Sequence, residues 1–271
     1  MKDDRGRSVA EPLQRGGLYC RFHAKAFCTQ PVETIPASFV ILYLDLETTG
    51  VDATSDRIVE LAATQGGSLP GASFATVVRV SDDIIQSPSA HSAAEVHGIT
   101  REEIALGPDF PEAWTRFLAF VDGIVNSTLT DSEISTDDSE PPPDARPASV
   151  PPKVLLAAHN GLKFDFVALL CECRRHRLQL TTVGQWLFVD TLPVLAAVQS
   201  QTACLKLQCL ARGVCGDLRA HRALDDCIAL NATIEIAAAS IGMSSSELPS
   251  RFAVRADLPA TNAQLSALCD V

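Results

Sequence analysis

Phe39-Val-Ile-Leu-Tyr-Leu-Asp45-Leu-Glu47-Thr-Thr-Gly50 is the stretch on which the fold turns. Six apolar residues in a row make a run of strand length, too short for a core helix and continuous enough to be buried on both faces. Two carboxylates then follow at i and i+2, before a Thr-Thr-Gly turn signal. On a strand such a pair shares one face, roughly 6–7 Å apart along the chain. Two carboxylates at the end of a buried strand repel each other unless a cation lies between them.

Downstream, Ile58 to Thr64 and Phe74 to Val80 read as two more strands of a meander, separated by Gly66-Gly67 and Pro70-Gly71. Pro111 to Val125 has Trp114, Phe117, Leu118 and Val121 at helical spacing. A strand from Val154 to Ala158, a helix from Phe164 to His176, a strand from Trp186 to Val189 and a long helix from Ala223 to Ala239 complete the pattern. Strands first in a meander and then alternating with helices predict an α/β fold with a mixed sheet.

Three segments are set apart by composition. Residues 1–37 are polar and without a sustained period, and are expected to be a flexible extension before a domain at 38–242. Residues 126–152 are rich in Ser, Thr, Asp, Glu and Pro and are expected to form a disordered acidic insertion inside that domain. Residues 243–271 are left as a tail.

The chain has 271 residues, of which 46% are hydrophobic, enough for a core, and a formal net charge of −11. That charge excludes a protein that wraps duplex nucleic acid with a basic stripe. It does not exclude one that grips a strand end with the help of metal ions. Met1 to Ala10 is polar and mixed in charge, unlike a leader, and no apolar run is long enough to span a membrane. A soluble intracellular protein, nuclear or cytoplasmic, is expected. The nine cysteines include no CxxC pair; Cys171, Cys204, Cys209 and Cys227 sit in apolar stretches and read as small buried thiols. Cys20, His23 and Cys28 lack a fourth ligand and do not make a zinc site.

Two further patches carry chemistry. His159-Asn160-Gly161-Leu-Lys-Phe164-Asp165 leaves a strand, turns and starts a helix with an acid in its first turn. His221-Arg222-Ala-Leu-Asp225-Asp226 places a histidine before a helix and an acid one turn into it. Asp165 alone could serve the helix dipole, and His221 alone could be a cap. Together the three patches supply four carboxylates and a histidine at the ends of core elements. That set suits a two-metal hydrolysis of a phosphodiester, with an imidazole to accept a proton from water.

The motifs DLETTG at 45–50, VHGIT at 96–100, AHNGLKFD at 158–165 and HRALDDC at 221–227 resemble those of the DEDDh 3′→5′ exonucleases, the family of the polymerase proofreading epsilon subunit and the three-prime repair exonucleases. The likeness runs from Phe39 to Ala239. It implies a ribonuclease H-like five-stranded mixed sheet flanked by helices, and two divalent ions, Mg²⁺ or Mn²⁺. By the resemblance Asp45 bridges both ions, Glu47 and Asp226 hold the one that activates water, Asp165 supports the second, and His221 is the general base. Thr48 would meet the 3′-hydroxyl; Val51, Val96 and Phe164 would pack on the last bases; Asn160 would lie near the scissile phosphate. Core packing is the competing account of Val51 and Val96. Asp190 is assigned a helix cap and no catalysis, and the cluster Arg174-Arg175-His176-Arg177 a dipole role ahead of a strand contact.

The expected partner is a single-stranded or frayed 3′ end, DNA favoured over RNA, with no membrane. An exoribonuclease is the rival within the class, and a catalytically silent binding module the rival outside it. A homodimer through an edge strand and a polymerase partner are both compatible with the sequence.

Overall fold

The computed structural model describes residues 27–28, 39–67, 71–134, 153–199, 204–212, 214 and 221–256. In chain order the strands are β1 (Phe27–Cys28), β2 (Phe39–Thr48), β3 (Ile58–Gln65), β4 (Ser73–Val77), β5 (Lys153–Ala158), β6 (Leu187–Asp190) and β7 (Val254–Ala256). The helices are α1 (Asp82–Ile85), α2 (Pro88–His97), α3 (Arg101–Leu106), α4 (Phe110–Ile134), α5 (Asp165–Arg175), α6 (Thr191–Val198), α7 (Leu207–Leu210), α8 (Ala223–Ser240) and α9 (Glu247–Ser250).

The strands form one sheet in the order β1-β7-β6-β5-β2-β3-β4. β2 pairs antiparallel with β3 and parallel with β5, and β5 pairs parallel with β6. This is the expected mixed five-stranded sheet, lengthened at one edge by two short strands. β7 lies antiparallel on β6, and β1 on β7. The sheet therefore draws in residues from both segments expected to flank the domain, and Leu248, Ala253 and Val254 are buried with it. Of Cys20, His23 and Cys28, only Cys28 is among the described residues.

β2 is the central strand, and its residues sort by parity. Val40, Leu42, Leu44 and Leu46 join one core with Trp114, Phe117 and Val121 of α4 and Phe166 and Leu169 of α5. Ile41 and Tyr43 join the other, with Val194 of α6 and Cys227, Leu230 and Ile234 of α8. A strand covered on both faces has no polar side until it runs out of the core. It runs out at Asp45 and Glu47, whose odd numbers set them on the α8 face.

α4 is longer than the pattern indicated. The helix continues past Asn126 to Ile134, so the first nine residues of the expected insertion are helical; residues 135–152 lie outside the described residues. Ser127 and Thr128 each donate a hydroxyl to the Ile124 carbonyl at 2.9 Å. A helix already nucleated by a packed face extends through polar residues that contain no breaker. None of the described helices is long and apolar enough to cross a membrane.

Candidate active site

Parallel pairing decides where the chemistry gathers. β5 beside β2, and β6 beside β5, end at the same edge of the sheet, with Ala158 opposite Asp190. Loops leaving parallel strands at that edge surround a crevice. The Asp45-Glu47 end of β2, the 159–165 turn after β5 and the start of α8 all meet there.

Carboxylate oxygens of Asp45, Glu47 and Asp226 lie within 4.8 Å of one another. Asp165 is buried at the start of α5, and the Leu46 amide hydrogen-bonds its carboxylate. Burial raises Asp45 well above the usual carboxylate range, reinforced by the charges of Asp165, Asp226 and Glu47. Glu47 is pushed up to about 8 by burial and then by Asp226 and Glu60. Asp165 is raised to about 7, again chiefly by burial. Asp226 is raised by burial and partly held down by the hydrogen bond from the His221 amide, at 3.2 Å. Such a cluster is uncomfortable by itself. Oxygen-only ligands converging at this spacing fit hard divalent cations, which would relieve the repulsion.

His221 adopts a left-handed backbone, φ 66°, immediately before α8. That turn lets its amide reach back to Asp226 while the ring faces a cavity of about 480 Å³ shared with Asp45, Glu47, Asp226, His159 and Asn160. Asn160 is also left-handed, φ 63°, a conformation Asn tolerates better than most residues. Its amide donates to Asp190 Oδ1 at 3.0 Å, and so does the Leu192 amide at 3.0 Å. Asp190 is thus the cap of α6, as expected, and the anchor of the Asn160 turn.

Thr48, Val51, Val96 and Phe164 are not among the residues that line this cavity. Thr48 is buried and donates its hydroxyl to the Gly50 carbonyl at 2.6 Å. Val51 is 94% exposed and Val96 56% exposed, so core packing accounts for neither. Phe164 is half-buried against the α4/α5 core. Val51 rides on a braced loop. Asp56 accepts from the Thr49 hydroxyl at 3.1 Å and from the Asp52 amide at 2.9 Å. A Cβ on Gly50 would stand 2.4 Å from an Asp56 oxygen, so only glycine fits.

The basic cluster at the end of α5 turns inward. Buried Glu172 accepts from Arg57 Nε at 2.8 Å and from Arg175 at 2.6 Å, with His176 at 3.4 Å. Arg175 also donates to the Asp56 carbonyl at 3.0 Å. Arg175 therefore braces the Val51 loop, a role neither account of the cluster anticipated.

Sequence reasoning missed Glu60. It is buried on β3, directly across from Glu47. It accepts from Arg222 at 2.8 Å and from the Ala223 amide, the first of α8, at 2.9 Å. An acid inside an apolar strand, Ile58-Val-Glu60-Leu, was the available signal. The VHGIT motif is likewise a joint: Val96 and His97 close α2, Gly98 is its left-handed cap, and Thr100 forms a capping box with Glu103 of α3. Cys204 and Cys209 also differ from expectation. They form a disulfide across the turn into α7, Cα atoms 6.1 Å apart, while Cys171, Cys173 and Cys227 are buried free thiols.

Residues 42–131 match the exonuclease family RNase_T. The chain is 27% identical over 236 residues to Exonuclease DPD1, chloroplastic/mitochondrial, of Arabidopsis thaliana, covering 83% of this chain and 64% of that protein. Exonuclease I shares the fold at 18% identity and a TM-score of 0.55, over 78% of this chain and 42% of its own. The E. coli enzyme in complex with dT13 gives 17%, 0.51, 75% and 40%. The nuclease domain of 3′hExo, a DEDDh family member bound to rAMP, gives 15%, 0.52, 75% and 94%. The family match over residues 42–131, the curated relative and the fold all point the same way: the chain is similar to exonucleases and shares the fold of Exonuclease I and 3′hExo.

Proposed function

We propose that the protein removes 5′-mononucleotides one at a time from the 3′ end of single-stranded or frayed DNA, using Asp45, Glu47, Asp165 and Asp226 as metal ligands and His221 as general base. The observation that carries this reading is the convergence of Asp45, Glu47 and Asp226 oxygens within 4.8 Å, at the rim of a cavity that His221 also faces. Two Mg²⁺ or Mn²⁺ ions bound by these carboxylates would offset the charge of the phosphate and ease ionisation of the attacking water. His221 accepts the proton of that water as its oxygen bonds to phosphorus. The bond from phosphorus to the 3′ oxygen of the penultimate nucleotide breaks, and that oxygen takes up a proton from solvent. The products are a shortened strand with a free 3′-hydroxyl and a 5′-mononucleotide.

Attack is confined to the strand end by what surrounds the carboxylates. Thr48 and the neighbouring backbone hold the terminal 3′-hydroxyl. Asn160 lies beside the scissile phosphate. Phe164 and the solvent-facing Val51 and Val96 supply apolar contacts for base faces, and such contacts accept any base. The exposure of Val51 and Val96 supports this role, because large apolar side chains left in water are suited to a ligand that covers them.

The test is digestion of 5′-labelled single-stranded DNA and RNA of one sequence with Mg²⁺, Mn²⁺ or EDTA, beside Asp226→Ala. A ladder shortening from the 3′ end, metal-dependent, absent in the variant and faster on DNA, is the expected result. Faster loss of RNA would make the protein an exoribonuclease. No shortening of either strand with either metal would overturn the catalytic reading in favour of a binding module.

A further inference from the structure

The carboxylates explain how a phosphodiester could be cut, but not how a polyanion is held in a cavity lined by acids. The same cavity is also lined by Leu205, Lys206, Leu207 and Gln208. Lys206 is the sole lysine or arginine among the described lining residues. It is exposed, and among the described residues it forms no ion pair, even though three carboxylates share its cavity. Arg222 is committed to Glu60, and Arg57 and Arg175 to Glu172, while Lys163, in the turn after β5, does not line this cavity.

The wall that carries Lys206 is fixed at several points. The Cys204–Cys209 disulfide brackets its four residues. The Leu205 carbonyl lies 2.7 Å from His159 Nε2. The Leu207 side chain is buried in the core under α8, and the Cys209 and Leu210 amides close back on the Lys206 carbonyl at 2.9 and 3.1 Å. A long flexible side chain on a rigid backbone is a well-placed point charge for phosphate. Asn160 and the carboxylates line the same cavity, so a strand with its 3′ end at Asp45 would bring its backbone within the space that Lys206 also lines.

We propose that Lys206 is a substrate-positioning residue: its ammonium binds an inner phosphate of the strand, on the 5′ side of the bond being cut. This rests on the exonuclease reading of the same cavity and adds the contact that holds the strand for the next cut. Lys206 touches the strand away from the reacting atoms, so it governs strand affinity and processivity more than the chemical step.

The experiment compares wild type with Lys206→Ala, Lys206→Arg and Lys206→Glu on a single-stranded oligonucleotide and on a p-nitrophenyl ester of thymidine 5′-monophosphate, which has no inner phosphate. Expected for Lys206→Ala is a KM for the oligonucleotide raised about tenfold, the scale of one charge-assisted contact. Its kcat stays within about twofold, and the log–log salt dependence of kcat/KM becomes shallower by about 0.7, one phosphate contact on a single strand. Arg restores affinity, Glu weakens it further, and the ester loses much less than the oligonucleotide. An unchanged KM and salt slope in an active enzyme overturns the assignment of Lys206 and leaves the exonuclease reading standing. Equal loss on both substrates places Lys206 at the scissile phosphate and also overturns it. A wild type inactive on both substrates would instead refute the reading beneath.

Discussion

Glu60 sits directly across the β2–β3 ladder from Glu47, yet the two carboxylates do opposite jobs. Glu47 faces the cavity, whereas Glu60 is tied to Arg222 and to the first amide of α8. The second pairing sets where α8 begins relative to the sheet, and with it the positions of His221 and Asp226. Glu60→Ala leaves Arg222 and a helix terminus without their acceptor. We expect a loss of about 3 kcal/mol, the scale of breaking a buried pair, read as a lower midpoint in urea. Glu60→Gln, which keeps an oxygen for the Ala223 amide, should lose less.

The crowded carboxylates make metal-free stability fall as pH rises. Glu47, raised to about 8, and Asp165, raised to about 7, hold protons in the fold that the unfolded chain has already released. Between the ordinary carboxylate range and about pH 8 the native state binds more protons than the unfolded one, so the stability present at acid pH is progressively lost. Thermal melts in EDTA from pH 5 to 8 should show a falling Tm. Mg²⁺ should raise Tm most at the alkaline end, where the ligands are ionised.

Asp45→Asn separates function from fold. Removing one charge from the cluster relieves repulsion on Glu47, Asp165 and Asp226. We expect a higher Tm than wild type in EDTA, little added stabilisation by Mg²⁺, and nuclease activity reduced at least a hundredfold, of order 3 kcal/mol in the barrier. A cluster with a purely structural role would give a lower Tm and unchanged metal response.

Val51 is expected to matter only to substrate. At 94% exposure, Val51→Ser should change stability by less than about 0.5 kcal/mol, as surface substitutions do. Its KM for oligonucleotides should rise severalfold in steady-state assays. Gly50→Ala, one residue earlier, should do both kinds of damage, because its Cβ meets the Asp56 carboxylate.

Much of this molecule was legible in the sequence because apolar periodicity is a local record of burial. The runs at Phe39, Ile58, Val154 and Ala223 became β2, β3, β5 and α8 with small changes at the ends. Asp45 and Glu47 were readable as a pair because strand geometry sets them on one face. Glu60 was hidden because its partner lies 162 residues away in the chain. The extension of α4 was hidden because polar composition predicts disorder, whereas an established helix only requires the absence of a breaker. β7 and α9 are too short for periodicity to show, and the Cys204–Cys209 pairing depends on a turn that only the fold supplies.

That disulfide links the cavity wall to the chemistry of its surroundings. Of the five cysteines whose state is defined, three are sealed in the core and two clamp the segment bearing Lys206. A dithiol reductant that converts this bond to two thiols would remove one tie on the segment and leave the Leu205–His159 contact and the buried Leu207 side chain in place.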